Sequence, residues 1–543
     1  MRSSPAIAAS SDETARTRLI WGLSPREAAI LAAILIVTIA VYLPSLRNGW
    51  VLDDHSEFVD NKLIHTWSFV WNSLRYDVWW FRDPLRLPQS PYYRPLENEW
   101  FAANAFLFGT NPALWHLAKI VVHVIVVALC FRLAQLLAGD VTVGLLTAAI
   151  FALMPANVGA VVFASAIPEP LSTAFELGAM ICIVGQKPDS SRRLLAAAML
   201  YACALLTHES AILFPLIVAA YFYIFVTRRL GSILRRLAPF AIVLIAYMCA
   251  RVYALGLDSL FGLHLRTTGT LFARGLVGWR PTHSAAQLLM TLPRALLTYL
   301  AVLTVPGVAG PAHDVSWITN LGPIVFIDAA ALLILAAVAF VLARRSPSRD
   351  IYLFCAIWMV LTMAPALNLN SILWLVDDRY LYAPSFGWSL AVAVTAVAIA
   401  STGSIARNVV GFALATTLAL YLVSTVSVQR YWHDDVAFFS RVVEIAPDVA
   451  QNQLDLAAAL NRDGQSEEAA RALEGAVALD PDDAHTHLKL AQQYQKLGRE
   501  LDFEREFQKF NELSAAMARS KAAADAVDGS QPDGAAPGAA SSP

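Results

Sequence analysis

The chain has 543 residues, of which 57% are hydrophobic and only 15% charged, a share of apolar residues beyond that of a soluble protein. Its formal net charge of -2 leaves no basic face for nucleic acid, so nucleic-acid partners are excluded. The cysteines Cys130, Cys182, Cys203, Cys249 and Cys355 sit singly inside apolar runs, without ligand spacing, which excludes a disulfide framework and a zinc site.

In chain order, a polar stretch to Arg26 precedes an apolar run from Ala28 to Leu43 with no small-residue cleavage pattern after it, which predicts a retained first span. Further runs suited to about 30 Å of hydrocarbon cover Ala113 to Leu137, Val141 to Ala164, Pro170 to Gly185, Leu194 to Thr207, Ala211 to Thr227 and Leu237 to Leu255. Later runs cover Leu321 to Leu342, Ile351 to Leu367, Pro384 to Ala400 and Val409 to Val428. The pattern predicts an all-α fold: a polytopic membrane helical bundle of about eleven crossings, followed by a short α-helical repeat domain.

Arginine and lysine in short loops are retained on the cytoplasmic side. Four clusters carry them: Arg16, Arg18 and Arg26; Lys187, Arg192 and Arg193; Arg228, Arg229, Arg235 and Arg236; and Arg344, Arg345 and Arg349. Placing all four inside puts the N-terminus in the cytoplasm, with the long first loop (45–112), the loop from Asn368 to Ala383 and everything after Val428 outside. A bacterial inner membrane is the expected location. A full crossing by Ala285 to Thr304 would invert everything downstream, and Pro293 and Arg294 lie near its middle, so this segment is read as re-entrant or interfacial. Pairing it with a second short crossing around Leu271 to Trp279 would keep the same parity.

After the last span, alanine and acidic residues replace the aliphatic runs and self-similarity appears. Pro447 and Pro481, Leu454 and Leu488, Leu460 and Tyr494, and Gly464 and Gly498 are each 34 positions apart, the period of a tetratricopeptide helix-turn-helix. The expected division is a membrane domain over 1–430, a tetratricopeptide-repeat domain over 431–515 and a disordered tail over 516–543.

The first loop opens with Asp53 and Asp54, carboxylates suited to accepting a proton from a substrate hydroxyl, although adjacent loop acids are commonly just solvated. Arg94 follows in Tyr92-Tyr93-Arg94-Pro95-Leu96, then His116 and His123 at the start of the second span. Glu169 lies at the outer end of the fourth span, and His208 and Glu209 follow the fifth. Charges at a membrane boundary are costly and so mark functional candidates, though pairing within the bundle is an equal alternative for single residues such as His116, His123 and Arg251. Asp377-Asp378-Arg379-Tyr380-Leu381-Tyr382 adds a guanidinium flanked by aromatics, suited to a phosphate or a sugar.

Trp50-Val-Leu-Asp53-Asp54, Tyr93-Arg94-Pro95-Leu96, Trp115-His116-Leu, Phe151-Ala-Leu-Met-Pro155, Leu206-Thr-His208-Glu209 and Asp378-Arg379-Tyr380-Leu381-Tyr382-Ala-Pro384-Ser385, in this order and followed by repeats, resemble the transmembrane-and-tetratricopeptide-repeat glycosyltransferases. These are similar to protein O-mannosyltransferases of the GT-C fold class. The resemblance implies transfer of a sugar, mannose or another hexose, from a polyprenyl-phosphate donor to a hydroxyl acceptor on the extracytoplasmic side, protein Ser or Thr being one such acceptor. It implies a base at Asp53 or Asp54. Arg94 and Arg379 would contact the donor phosphate, with Glu169, His208, Glu209, Tyr382 and His116 around the donor. The chain departs from the family in having His208-Glu209 where Lys-Glu is frequent, and Ala166-Ile-Pro168-Glu169 where a basic residue often precedes the acid. No cofactor is required, although a divalent cation would be compatible; the partners would be the lipid-linked donor, membrane lipids and a protein or glycan acceptor held by the repeats.

A phosphate leaves without a strong general acid, so one base and one or two cations suffice, and a single in-line displacement inverts the anomeric centre. A non-catalytic membrane-anchored scaffold would leave the first loop unconstrained. A transporter would show internal repeats between the membrane halves and broken helices at the midplane.

Overall fold

The computed structural model describes residues 20–83, 90–184, 190–257, 284–365, 367 and 376–528, and divides into two compact units, Met1–Asp434 and Asp435–Pro543. Among the described residues the regular structure is entirely helical.

The first unit begins with α1 (Pro25–Tyr42), where Ser24 and Glu27 form a reciprocal cap and Pro25 takes the first-turn position that needs no N–H. Two short loop helices follow, α2 (Trp67–Ser73) and α3 (Pro95–Phe108). Next comes α4 (Pro112–Ala138), capped by Asn111 and closed by Gly139 at φ +67. At 1.5 Å per residue α4 is about 40 Å long, more than the roughly 30 Å hydrocarbon core, so its first turns reach the membrane boundary.

The run predicted as one span from Val141 is broken. Helices α5 (Val141–Leu153) and α6 (Val158–Val162) meet at 56° around a short turn at Pro155–Asn157. Pro155 cannot continue the ladder, and the Phe151 carbonyl accepts from the Asn157 side-chain amide at 2.9 Å as well as from the Met154 N–H at 3.4 Å, which pairs one carbonyl that the break releases.

The bundle continues through α7 (Pro168–Val184), α8 (Ser191–Thr207), α9 (Phe214–Tyr221), α10 (Leu230–Leu255), α11 (Ala285–Thr304), α12 (Pro323–Arg345), α13 (Arg349–Met363), α14 (Pro384–Ala400) and α15 (Ser404–Gln429). Apart from the break at Pro155, each predicted apolar run is helical over most of its described residues. Among the described residues, seven helices are long and apolar enough to cross a bilayer, eight counting the bent pair, and the other apolar helices of this unit are shorter. The chain is an integral membrane protein. Helices α4, α5, α7 and α14 pack as its centre, with α8 on α7 and α13 on α14. Gly387 lets α14 approach α13 closely, since a Cβ there would lie 2.9 Å from the Cys355 carbonyl oxygen.

Ala285–Thr304 forms one unbroken helix that meets the length and apolarity of a span. Arg294, which argued against lipid exposure, is paired with Asp328 of α12 at 2.9 Å. The reversal expected of a re-entrant segment is therefore absent from α11, and Leu271 to Trp279 lies outside the described residues. Geometry constrains the parity. Arg251 at the end of α10 donates to the Pro91 carbonyl of the first loop (2.9 Å), while His313, just after α11, holds Asp378 (2.6 Å). Because Arg379 beside Asp378 also reaches the first-loop cluster described below, Arg251 and His313 lie on the same face of the bundle.

The second unit holds α16 (Asp435–Ile445), α17 (Ala450–Arg462), α18 (Ser466–Leu479), α19 (Ala484–Lys496) and α20 (Glu500–Asp528). Helix starts recur at the expected period, Ala450 with Ala484 and Ser466 with Glu500. Leu454, Leu460, Leu473, Leu490 and Tyr494 interlock between neighbouring helices. Helix α20 runs to Asp528, past Ala515 where order was expected to end; Met517, Arg519, Lys521 and the alanines favour helix there. The rest of the expected disordered tail, 529–543, lies outside the described residues.

Candidate functional site

The acidic pair sits on a strained turn. Leu52 has φ +55, a left-handed conformation that costs a non-glycine residue about 1–2 kcal/mol, and it sends the two following carboxylates in different directions. Asp54 turns inward and is fully enclosed. One of its oxygens accepts from the Ser165 backbone (2.8 Å) and hydroxyl (2.6 Å), the other from the Val51 backbone (3.1 Å). Burial pushes its pKa up to about 7 against the lowering by those hydrogen bonds and the Lys119 charge. Asp53 turns outward. Its side chain is 47% exposed, 3.7 Å from the Arg82 guanidinium, which also bonds Ser56 (2.6 Å) and lies over the Trp79 ring.

Behind Asp53 lies Glu57, buried, with one oxygen accepting from the Trp79 indole at 2.9 Å. Burial first and the Asp53 charge second push its pKa up to about 8. The turn thus presents one accessible carboxylate in front of two buried carboxyls.

Arg94 forms the next element at the start of α3. Its guanidinium makes a two-pronged pair with Glu209 (Nε to Oε2 2.7 Å, Nη2 to Oε1 2.6 Å), leans on Glu97 at 3.4 Å and covers the Tyr92 ring. These pairings keep it fully charged although buried. Glu97 is held well above the ordinary carboxyl range by burial, with Arg94 opposing. His208 caps the short turn carrying Glu209, its Nδ1 accepting from the Ser210 backbone at 3.0 Å.

Arg379 is held by Asp377 (2.8 Å) with its guanidinium against the Phe163 and Tyr380 rings, and Gly159 leaves room for its stem. Glu169, whose Oε2 is buried without a hydrogen-bond partner, feels the charges of Arg379, Arg94 and Lys119. Lys119 reaches from α4 to donate to the Phe163 carbonyl, within the fields of Glu169 and Asp54. Asp53, Asp54, Arg94, Glu169, His208, Glu209 and Arg379 therefore fall in one cluster at one end of the bundle.

Two candidates stand apart. Tyr382 is buried in the bundle, its hydroxyl 2.7 Å from His123 Nδ1, beside Phe151. It joins α14 to α4, away from the carboxylates. His116 is buried against the loop backbone, its Nε2 3.4 Å from the Gly49 carbonyl, where it supports the segment leading to the acidic turn. Glu57, Arg82, Glu97, Lys119 and Ser165 were missed. Boundary charge is the signal that could have found Lys119, Glu57 and Glu97, whereas Ser165 carries none. Among the described residues, no three His, Cys, Asp or Glu side chains are grouped to hold a metal ion.

No family model matches the chain. It is 25% identical over 87% of its length to a mouse protein named protein O-mannosyl-transferase TMTC3, of which it covers 53%. It is 24% identical to the Drosophila melanogaster protein of that name, over 87% of this chain and 58% of that one. The chain thus spans little more than half the length of these curated relatives. Among solved structures it resembles an oligosaccharyltransferase of Archaeoglobus fulgidus in the apo form, with 14% identity and a TM-score of 0.42 over 80% of this chain and 60% of that one. It also resembles ArnT of Cupriavidus metallidurans bound to undecaprenyl phosphate, with 18% identity and a TM-score of 0.33 over 77% and 80%. By sequence, the chain is similar, at 24–25% identity, to proteins named protein O-mannosyl-transferase TMTC3.

Proposed function

We propose that this protein moves a hexose, mannose first among the candidates, from a polyprenyl-phosphate donor to a hydroxyl acceptor on the extracytoplasmic face of the membrane. The names of its relatives support the reaction class. The observation that carries it is the position of Asp53, an accessible carboxylate at the rim of a cluster whose cations, Arg82, Arg94, Lys119 and Arg379, come from four separate elements.

In this reading Asp53 takes the acceptor hydroxyl proton while the oxygen attacks the anomeric carbon. The bond from that carbon to phosphate breaks, and polyprenyl phosphate departs with the electron pair. Asp54 serves as the positioning residue, because both its oxygens are committed to Ser165 and Val51. Arg94 and Arg379 each have five N–H donors and spend only some on Glu209, Glu97 and Asp377, leaving the others for the phosphate charge. Lys119 supplies a basic charge close to Glu169, at the place where the neighbouring segment has Ile167.

The helical hairpins after Asp434 act as tetratricopeptide repeats that select a polypeptide acceptor, and the step needs no cofactor. The test is mass spectrometry of glycoproteins and glycolipids from cells with and without the protein. A hexose modification present only with the protein supports the proposal; identical profiles refute it.

A further inference from the structure

The turn that carries Arg379 is gripped by the segment that follows α11. Beyond Thr304 this segment is tied to α15: Tyr421 donates to the Leu303 carbonyl (2.7 Å), and the Gly307 N–H donates to the Ser424 hydroxyl (3.1 Å). Gly307 has φ +95, a conformation glycine takes without strain, and the chain turns there. It then meets the Arg379 turn. The Gly310 N–H donates to Asp378 Oδ2 at 2.8 Å, and His313 Nε2 lies 2.6 Å from Asp378 Oδ1. Tyr299 of α11 holds the same turn through its hydroxyl, which accepts from the Asp377 N–H at 3.2 Å.

The His313 and Asp378 side chains are enclosed, 7% and 5% exposed. Both Asp378 oxygens accept from residues 310–313, whereas Arg379 takes Asp377 as its partner. An ionised carboxylate is the form that accepts on both oxygens, so the proton between the two side chains sits on the imidazole. Burial alone would lower the pKa of His313; the charge and hydrogen bond of Asp378, and then the charge of Asp377, outweigh it and hold it above the ordinary histidine value. The other polar groups around this turn are the neutral Tyr299 and Tyr380 phenols, while α15 contributes only the Ser424 and Tyr421 hydroxyls and Asp314, next to His313, is exposed. With His313 protonated, Asp377 and Asp378 are matched by Arg379 and His313. With it neutral, one negative charge is left over beside Arg379.

We propose that His313 is a positioning residue for the donor: protonated, it keeps Asp378 turned from Arg379 and cancels its charge, so that the guanidinium donors not used by Asp377 stay open to the donor phosphate. The imidazole keeps its proton to higher pH than a free histidine, so this state spans neutral pH and is lost as pH rises through the raised value. One excess negative charge about 10–15 Å from the phosphate, at an effective dielectric constant of about 20, weakens donor binding about five- to fifteenfold. The inference rests on Arg379 meeting a donor phosphate, as proposed above, and adds the proton that governs that contact.

The probe is undecaprenyl-phosphate mannose, a phosphodiester that keeps one negative charge from about pH 6 to about pH 9, so a titration in its binding belongs to the protein. Its dissociation constant would be measured on the full chain in phosphatidylcholine nanodiscs, with thermal unfolding to check each variant's fold. Wild-type binding should weaken about five- to fifteenfold along a single-proton curve as pH rises. His313→Gln keeps an N–H donor for Asp378 without the charge, and should bind at every pH as the wild type does at the highest. Asp378→Asn removes the carboxylate that holds the proton and should move the curve to lower pH, which carries the test if His313→Gln does not fold. A His313→Gln curve that follows the wild type, an Asp378→Asn curve that does not move, or saturable wild-type binding that is flat with pH would overturn the inference and leave the donor reading intact. No wild-type binding at any pH would overturn both.

Discussion

Replacing each member of the acidic pair by its amide separates their roles. Asp53→Asn keeps the shape of an open side chain and removes only its capacity to take a proton, so transfer should fall about 10²- to 10⁴-fold, or about 3–5 kcal/mol of barrier, with little change in melting temperature. Asp54→Asn acts on the fold. An amide offers one accepting oxygen where the carboxylate uses two, so it strands either the Ser165 pair or the Val51 N–H and should destabilise the membrane unit by about 2–4 kcal/mol.

The pH dependence identifies the cause. The folded pKa of Asp54 is raised to about 7 from 3.8, so the folded state holds the proton more tightly, and wild-type stability falls as pH rises between those values and levels above them. The Asp54→Asn protein lacks that fall. The deficit of about 2–4 kcal/mol should therefore apply near pH 4, and the stability difference should move in the variant's favour by up to about 4 kcal/mol by pH 7, leaving little or no deficit there. Thermal unfolding in detergent across this range measures the slope, and transfer from a polyprenyl-phosphate [3H]mannose in vesicles, with membrane-protein extract as acceptor, measures activity. Full activity in Asp53→Asn at normal protein level, or a pH-independent deficit in Asp54→Asn, would refute the assignment.

Arg94→Lys should lose the two-pronged grip on Glu209 and most transfer, with Arg94→Met worse by a further destabilisation of about 3–5 kcal/mol from the orphaned Glu209; thermal unfolding of Arg94→Met with and without Glu209→Gln measures that coupling. Tyr382→Phe should cost about 1–3 kcal/mol of stability by stranding His123 Nδ1, while KM for the lipid-linked donor stays unchanged, because the hydroxyl lies in the bundle core. Gly387→Ala should destabilise by about 1–3 kcal/mol in thermal unfolding, as its Cβ meets the Cys355 carbonyl oxygen and Met359 at 2.9 Å.

The spans were legible because apolar length is a local property, and each predicted run but the one from Val141 is a continuous helix over most of its described residues. The break at Pro155 was not seen, since the run on either side is apolar and only the Asn157 bond to Phe151 shows how the backbone is satisfied. Most of the candidate site was legible, Arg94, Glu169 and Glu209 through the cost of charge at a boundary and Arg379 through its flanking aromatics. Its wiring was not. Asp54 finds Ser165 111 positions away and Arg94 finds Glu209 115 positions away, distances at which no periodicity connects residues. Tyr382 lies within a motif that the site does use, yet the turn over 378–381 points Arg379 toward the cluster and Tyr382 into the core. Order along a motif does not reveal that reversal.

The central claim is hexose transfer through Asp53. It is tested most directly by glycoprotein mass spectrometry on cells lacking the protein, complemented with wild type or with Asp53→Asn at matched membrane levels. Hexose-modified Ser or Thr peptides should return with wild type and stay absent with Asp53→Asn. Their return with both, or with neither, would contradict the account.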